Sequence, residues 1–162
     1  MNGTDDGAVA ARDAEVAEFV AVSALLTGFD TAELTADGMA PAHRATLLGQ
    51  IGAEHCARLL GALTAAGGDP GATGDEVLGE VARALCLLWY TGEWPELPAA
   101  TRAALGPVGS PVAGPGPAAD PARAYAHGLL WQTFGGHAPG TARPGPGSWA
   151  QPPVAALTGG RR

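Results

Sequence analysis

The large aromatic side chains of this 162-residue chain are concentrated in three short stretches of its second half. Residues 88–92, 125–131 and 147–153 together hold three of the four tryptophans and both tyrosines. Burying one such side chain removes roughly 150–250 Å² from water. By contrast, nearly half of the 46% hydrophobic content is alanine, which buries little area. A core this thin favours a subunit that a partner stabilises, although the high alanine, glycine and proline content can equally reflect compositional drift.

The charge of the chain argues against several classes of partner. The net charge is −7 and the isoelectric point is near 4.9, and both disfavour nucleic acid and anionic membrane surfaces as partners. No apolar stretch approaches the roughly 20 residues that span a bilayer, so we expect no direct membrane insertion. The first residues are acidic and carry neither a basic start nor an apolar stretch before Arg12. This pattern predicts that the chain has no signal peptide and stays in the cytoplasm unless a partner carries it across a membrane.

The spacing of apolar residues predicts an all-α fold, in which a single helical domain contains about four main helices. We expect a disordered leader over residues 1–12, a helical domain over 13–134 and an extended C-terminal strap over 135–162. A long connection rich in proline and glycine interrupts the helical domain at residues 93–119, with one short alanine-rich helical piece inside it. The four main helices are expected from residue 13 to about 28, from 41 to about 66, from 74 to 91 and from 121 to 134.

Capping residues indicate where these helices begin and end. Asp30 and Glu33 have the spacing of a capping box. Thr73 and Glu76 offer a second capping box before the third helix, and Gly92 is placed to end that helix.

Signatures of catalysis and of metal binding are missing from the sequence. It has no Gly-x-Gly-x-x-Gly between a strand and a helix, and its histidines show no His-x-x-x-His spacing. His55 and Cys56 are neighbours that point about 100° apart on a helix, which is too far for a nucleophile and its base. Cys56 and Cys86 are expected to be small buried hydrophobic residues, with a disulfide as the alternative. We therefore expect no catalytic, cofactor-binding or metal-binding residue in this chain.

Four stretches carry a resemblance to a known family. They are residues 19–28 (Phe-Val-Ala-Val-Ser-Ala-Leu-Leu-Thr-Gly), 87–92 (Leu-Leu-Trp-Tyr-Thr-Gly), 125–131, and 147–153 (Gly-Ser-Trp-Ala-Gln-Pro-Pro), which follows Gly140. In this order, with a proline-rich gap before the third, they resemble the sorbitol dehydrogenase small-subunit family. That family is related to the small subunits of fructose and gluconate 2-dehydrogenases. Each stretch alone is a weak signal, and the resemblance depends on their order.

The resemblance implies a helical, non-catalytic accessory subunit with a chaperone-like role. Its partner would be a large subunit with the glucose–methanol–choline (GMC) oxidoreductase fold, which holds FAD and oxidises a sugar or polyol hydroxyl. The small subunit supports the folding, flavin loading and stability of the large one. Members of the family usually carry a twin-arginine export signal, and this sequence has none. The difference favours a cytoplasmic complex that oxidises a glycoside or a sugar unit of a specialised metabolite.

The aromatic residues divide into expected core and expected interface. Trp89 and Trp131 lie on the faces of predicted helices and are expected in the core, whereas Trp149 is expected at an interface. Tyr90 and Trp94 fit either place. The residues expected to contact the partner are Trp149, Pro152, Pro153, Tyr90, Trp94 and His137.

Two alternative functions stay open on the sequence alone. One is a stand-alone helical enzyme or small-ligand binder that uses His127, Tyr125 and His137. The other is an interaction module that forms a homodimer through its aromatic faces.

Overall fold

A computed structural model describes residues 3–108 and 120–139 of the chain, and only the backbone of residues 3–6. Within these ranges every regular element is a helix and no strand occurs, which confirms the all-α prediction. Three helices are long: α1 (Gly3–Thr27), α3 (Ala40–Ala65) and α4 (Glu76–Thr91). The short elements are α2 (Thr31–Ala36), a 3-10 turn (Pro70–Ala72), α5 (Ala99–Leu105), α6 (Pro121–Ala126) and α7 (Leu129–Thr133).

The three long helices pack on one another and form the core. At its centre Phe19 of α1 stacks on Trp89 of α4, with ring centroids 6.0 Å apart, and both side chains are almost fully buried. This confirms the expected core position of Trp89. Leucines from α3 and α4 supply much of the remaining apolar area, namely Leu47, Leu59, Leu63, Leu78, Leu85 and Leu88.

The long helices differ from the prediction in one boundary and in one internal break. Residues 3–12, expected to be a disordered leader, form the first turns of α1. Four alanines among residues 8–14 favour this, because alanine has the highest helix propensity. The second expected helix is broken at Gly52, where the backbone adopts φ 76° and ψ 167°. Such a conformation is open to glycine but strained for other residues.

Of the two capping boxes predicted from the sequence, one is present and the other is replaced by a different cap. Asp30 Oδ1 accepts a hydrogen bond from the Glu33 N–H at 2.8 Å, and Glu33 Oε2 accepts one from the Asp30 N–H at 3.0 Å. This capping box was predicted. The N-cap of α4 is Asp75 rather than Thr73, because the Asp75 carboxylate accepts from the N–H groups of Val77 and Leu78. The Thr73 hydroxyl instead donates to the carbonyls of Pro70 and Asp75.

The helix expected from residue 121 to 134 is divided into α6 and α7 at His127 and Gly128. Gly128 lies against the end of α4, where an added Cβ would be 2.5 Å from the carbonyl oxygen of Tyr90. With the backbone in this position, a larger residue would collide with α4. The break therefore lets the chain pack closely, and it places Leu129 fully in the core.

Candidate interaction surface

The structure describes half of the residues predicted to contact a partner. Tyr90 lies in the last turn of α4 and Trp94 in the segment just after it, and both are partly buried. His137 lies in the segment that follows α7 and is exposed. Trp149, Pro152 and Pro153 lie outside the described residues. The site is therefore built from the end of α4 and the elements around it.

Tyr90 joins the ends of α1 and α4 through its hydroxyl group. Its O–H donates to the Thr27 carbonyl at 3.1 Å, and its ring meets the edge of Phe29 with centroids 6.2 Å apart. Burial raises the pKa of Tyr90, and the neighbouring Cys86 raises it further. The phenol therefore stays protonated at neutral pH and can keep donating this hydrogen bond.

A second aromatic pair lies on the segment that packs against the end of α4. Tyr125 and Trp131 meet edge to face with centroids 5.3 Å apart, and the Trp131 indole N–H donates to the Tyr125 carbonyl at 2.9 Å. Tyr125 is 40% exposed and Trp131 is only partly buried. The expectation that Trp131 belongs to the core was wrong, because the break at Gly128 turns α7 so that Leu129 takes the buried position.

These two pairs form what we call the aromatic surface, defined by Phe29, Tyr90, Tyr125 and Trp131. The elements that carry the two pairs adjoin, because the backbone of Gly128 lies against that of Tyr90 and the backbone of Gly92 lies against that of Ala124 and Tyr125. Two exposed apolar residues lie beside them in the chain. Leu87, one turn before Tyr90, is 48% exposed, and Phe134, three residues after Trp131, is 77% exposed.

Trp94 contributes to a separate pocket. This cavity of about 390 Å³ lies between the segment after α4, helix α5 and the middle of α3. Leu97 and Leu105 are its most buried lining residues. The polar lining includes Gln50 and an ion pair between Arg102 and Glu96, whose nitrogen and oxygen are 3.0 Å apart. Local sequence patterns did not predict this pocket, since Gln50 is far in the chain from the other lining residues.

Three polar side chains are buried at the centre of the helix bundle. In the described part of the chain, Ser23 Oγ, His43 Nδ1 and Trp89 Nε1 are buried without a hydrogen-bond partner. The imidazole of His43 meets the Trp89 ring edge to face at 4.6 Å, and desolvation lowers the pKa of His43 to about 4. A signal for its burial existed, because His43 precedes Leu47 and Ile51 at intervals of four residues.

His127 and Tyr125, suggested as parts of a ligand pocket, are both exposed. The charged group that interacts with His127 is Asp37, in the turn between α2 and α3. Burial raises the pKa of Asp37, while a hydrogen bond from the Met39 N–H and the charges of His127 and Arg123 lower it in part. His137, the third residue of that suggestion, is exposed as well.

The described residues contain neither a disulfide nor a group of side chains arranged to bind a metal ion. Cys56 is buried and Cys86 is half-buried, and both thiols are free. Among the described residues, no group of three or more His, Cys, Asp and Glu side chains is arranged to hold a metal ion. No described helix is long and apolar enough to cross a bilayer.

Comparison with known proteins identifies no relative. No protein-family model matches the chain, and no curated protein or solved structure is detectably similar to it. The family resemblance noted from the four sequence stretches therefore stays a hypothesis.

Proposed function

We propose that this chain is the non-catalytic small subunit of an FAD-dependent sugar, polyol or glycoside oxidoreductase. In this role it binds a large subunit of the GMC oxidoreductase type and supports its folding and flavin loading. The FAD and the catalytic residues belong to the large subunit.

The aromatic surface is the observation that carries this proposal. Aromatic residues are enriched where proteins contact one another, and here two aromatic pairs lie partly open to solvent on adjoining elements. Three of the four sequence stretches behind the resemblance reach this surface. Residues 19–28 end beside Phe29, residues 87–92 contain Tyr90, and residues 125–131 contain Tyr125 and Trp131. These three stretches thus meet near the end of α4, where the Tyr90 hydroxyl donates to the Thr27 carbonyl and Gly128 lies against the Tyr90 backbone.

An affinity pull-down of the tagged full chain from its native cells tests the proposal. We expect the eluate to be yellow, to show the two flavin absorption bands, and to contain a polypeptide of GMC type in equal amount by mass spectrometry. A colourless eluate without such a polypeptide would contradict the proposal.

Matched variants test the surface itself. Tyr125→Asp places a charge within the aromatic surface, and we expect it to reduce flavoprotein capture about tenfold or more, as for an interface residue with a large aromatic side chain. Val9→Asp is the control, because Val9 is similarly exposed (52%) but lies near the start of α1. Equal capture by both variants would mean that the partner binds elsewhere.

The same surface also fits self-association, the alternative that the sequence left open. The molar mass of the purified chain, measured by light scattering over a range of concentrations, separates the two. A mass that rises with concentration and falls back in Tyr125→Asp would favour the homodimer.

A further inference from the structure

We propose that the pocket beside Trp94 is a binding site for a neutral, ring-shaped molecule that carries several hydroxyl groups, such as a simple glycoside. This inference goes beyond the proposed function, because it assigns a ligand to this chain rather than to a partner. It depends on the pocket and not on the aromatic surface.

The size and position of the pocket suit a small molecule. Its volume of about 390 Å³ falls at the lower end of the range of roughly 300–1,000 Å³ that is typical of ligand pockets. Val108 contributes to one wall and lies 3.8 Å from the position of a Cβ on Gly52, where α3 is broken. The cavity is thus bordered by the irregular middle of α3.

The apolar lining favours a ring. Trp94 lines the pocket together with Leu97 and Leu105, which are nearly buried. An aromatic face carries a partial negative charge and attracts the slightly positive C–H groups of a saturated ring. An open-chain polyol would have to lose more conformational freedom to make the same contact.

The polar lining favours hydroxyl groups without net charge. Arg102 and Glu96, whose side chains are 56% and 79% exposed, form an ion pair across 3.0 Å at the solvent-exposed side of the pocket. Their opposite charges offset one another, so the pocket offers little excess charge to an ion. The pair still provides N–H donors and a carboxylate acceptor, and the Gln50 amide provides both. A hydroxyl group is itself both donor and acceptor, so it can pair with any of these groups.

The test is an NMR titration of the full chain without any partner. Methyl β-D-glucopyranoside is added to about 50 mM, a concentration that saturates a millimolar site, and the indole N–H signals of the tryptophans are followed. Trp94→Phe assigns the Trp94 signal. We expect saturable shifts at Trp94 and at the Gln50 side-chain amide, and binding of sorbitol, the open-chain probe, about tenfold weaker.

Two exposed glutamines provide a matched pair of variants. Gln50→Ala should weaken binding of the glucoside about threefold or more, as expected for the loss of a hydrogen bond. Gln132→Ala on α7, outside the pocket, should leave binding unchanged. No saturable shift, equal binding of sorbitol, or shifts at Trp131 instead of Trp94 would overturn the inference. None of these results bears on flavoprotein capture, so the two proposals fail independently.

Discussion

His43 shows how one buried residue can dominate the acid sensitivity of the protein. The unfolded chain takes up a proton at this residue near its ordinary pKa of 6.5, whereas the folded chain does so only at about pH 4. The stabilisation is therefore complete above pH 6.5 and is lost as the pH falls towards 4. At about 1.4 kcal/mol per pKa unit, the lowered pKa of His43 corresponds to about 3 kcal/mol of stability. Solvent screens this contribution little, because His43 is only 2% exposed.

Asp37 acts in the opposite direction. Its folded pKa is raised, so it adds stability as the pH falls. His43→Leu separates the two effects, because the variant keeps Asp37. We expect the free energy of unfolding, measured with urea at about pH 7 and about pH 4.5, to fall by about 2–3 kcal/mol more in the native protein than in the variant. Equal falls would show that His43 is not buried in its neutral form.

The two thiols should differ in reactivity. Burial raises the pKa of both Cys56 and Cys86, so the reactive thiolate is scarce at each. Cys56 is also inaccessible at 3% exposure, whereas Cys86 is half-buried. We expect a thiol reagent to label Cys86 in the folded protein and Cys56 only at the rate of unfolding. Peptide mass spectrometry identifies the labelled site, and rapid labelling of Cys56 in the native protein would contradict its position.

At the scale of elements, the sequence predicted correctly those features that depend on residues close together in the chain. The Asp30–Glu33 capping box depends only on residues three apart, and it was predicted and found. The division between α6 and α7 depends on a contact between Gly128 and Tyr90, which are remote in sequence. No periodicity in residues 121–134 contains that information. The cap at Asp75 was missed for a different reason, since Thr73 offered a competing local signal two residues earlier.

The turn after α3 allows a comparison between adjacent glycines. Gly67 and Gly68 both have positive φ, at 61° and 87°, but only Gly68 touches α1. A Cβ on Gly68 would lie 2.2 Å from the backbone oxygen of Leu25, whereas one on Gly67 would meet nothing within 4 Å. The substitution Gly67→Ala therefore introduces only the free-energy cost of placing a non-glycine residue in a left-handed backbone conformation.

We expect Gly67→Ala to lower the free energy of unfolding by about 1–2 kcal/mol, the cost of a left-handed backbone at a non-glycine residue. Gly68→Ala should cost at least about 2 kcal/mol more, because the backbone of α1 must also move. Urea unfolding of both variants measures the difference. Similar losses would mean that α1 and the end of α3 are not in close contact.

At the scale of the whole molecule, the sequence predicted the class of fold better than the sites. Amphipathic spacing and a few aromatic residues suffice to place α1, α3 and α4 around Trp89. The pocket combines Gln50 with residues 94–108, and the aromatic surface combines the turn after α1 with α4, α6 and α7. Both arise from tertiary packing, so neither could be read from local spacing.

The molecule should also be unevenly stable along α1. Residues 7–15 are helical but all exposed, and Glu15, at the end of this segment, forms an ion pair with Arg44 of α3. By contrast, Phe19, Val20, Val22 and Ser23 are buried in the core. A helical segment shorter than about 12–15 residues is marginal in water without tertiary contacts. Amide hydrogen exchange should therefore be fast over residues 7–15 and slow over residues 19–26, where opening requires loss of the core. Uniform protection along α1 would show that the first turns are covered, and self-association or a bound partner would then be the first cause to examine.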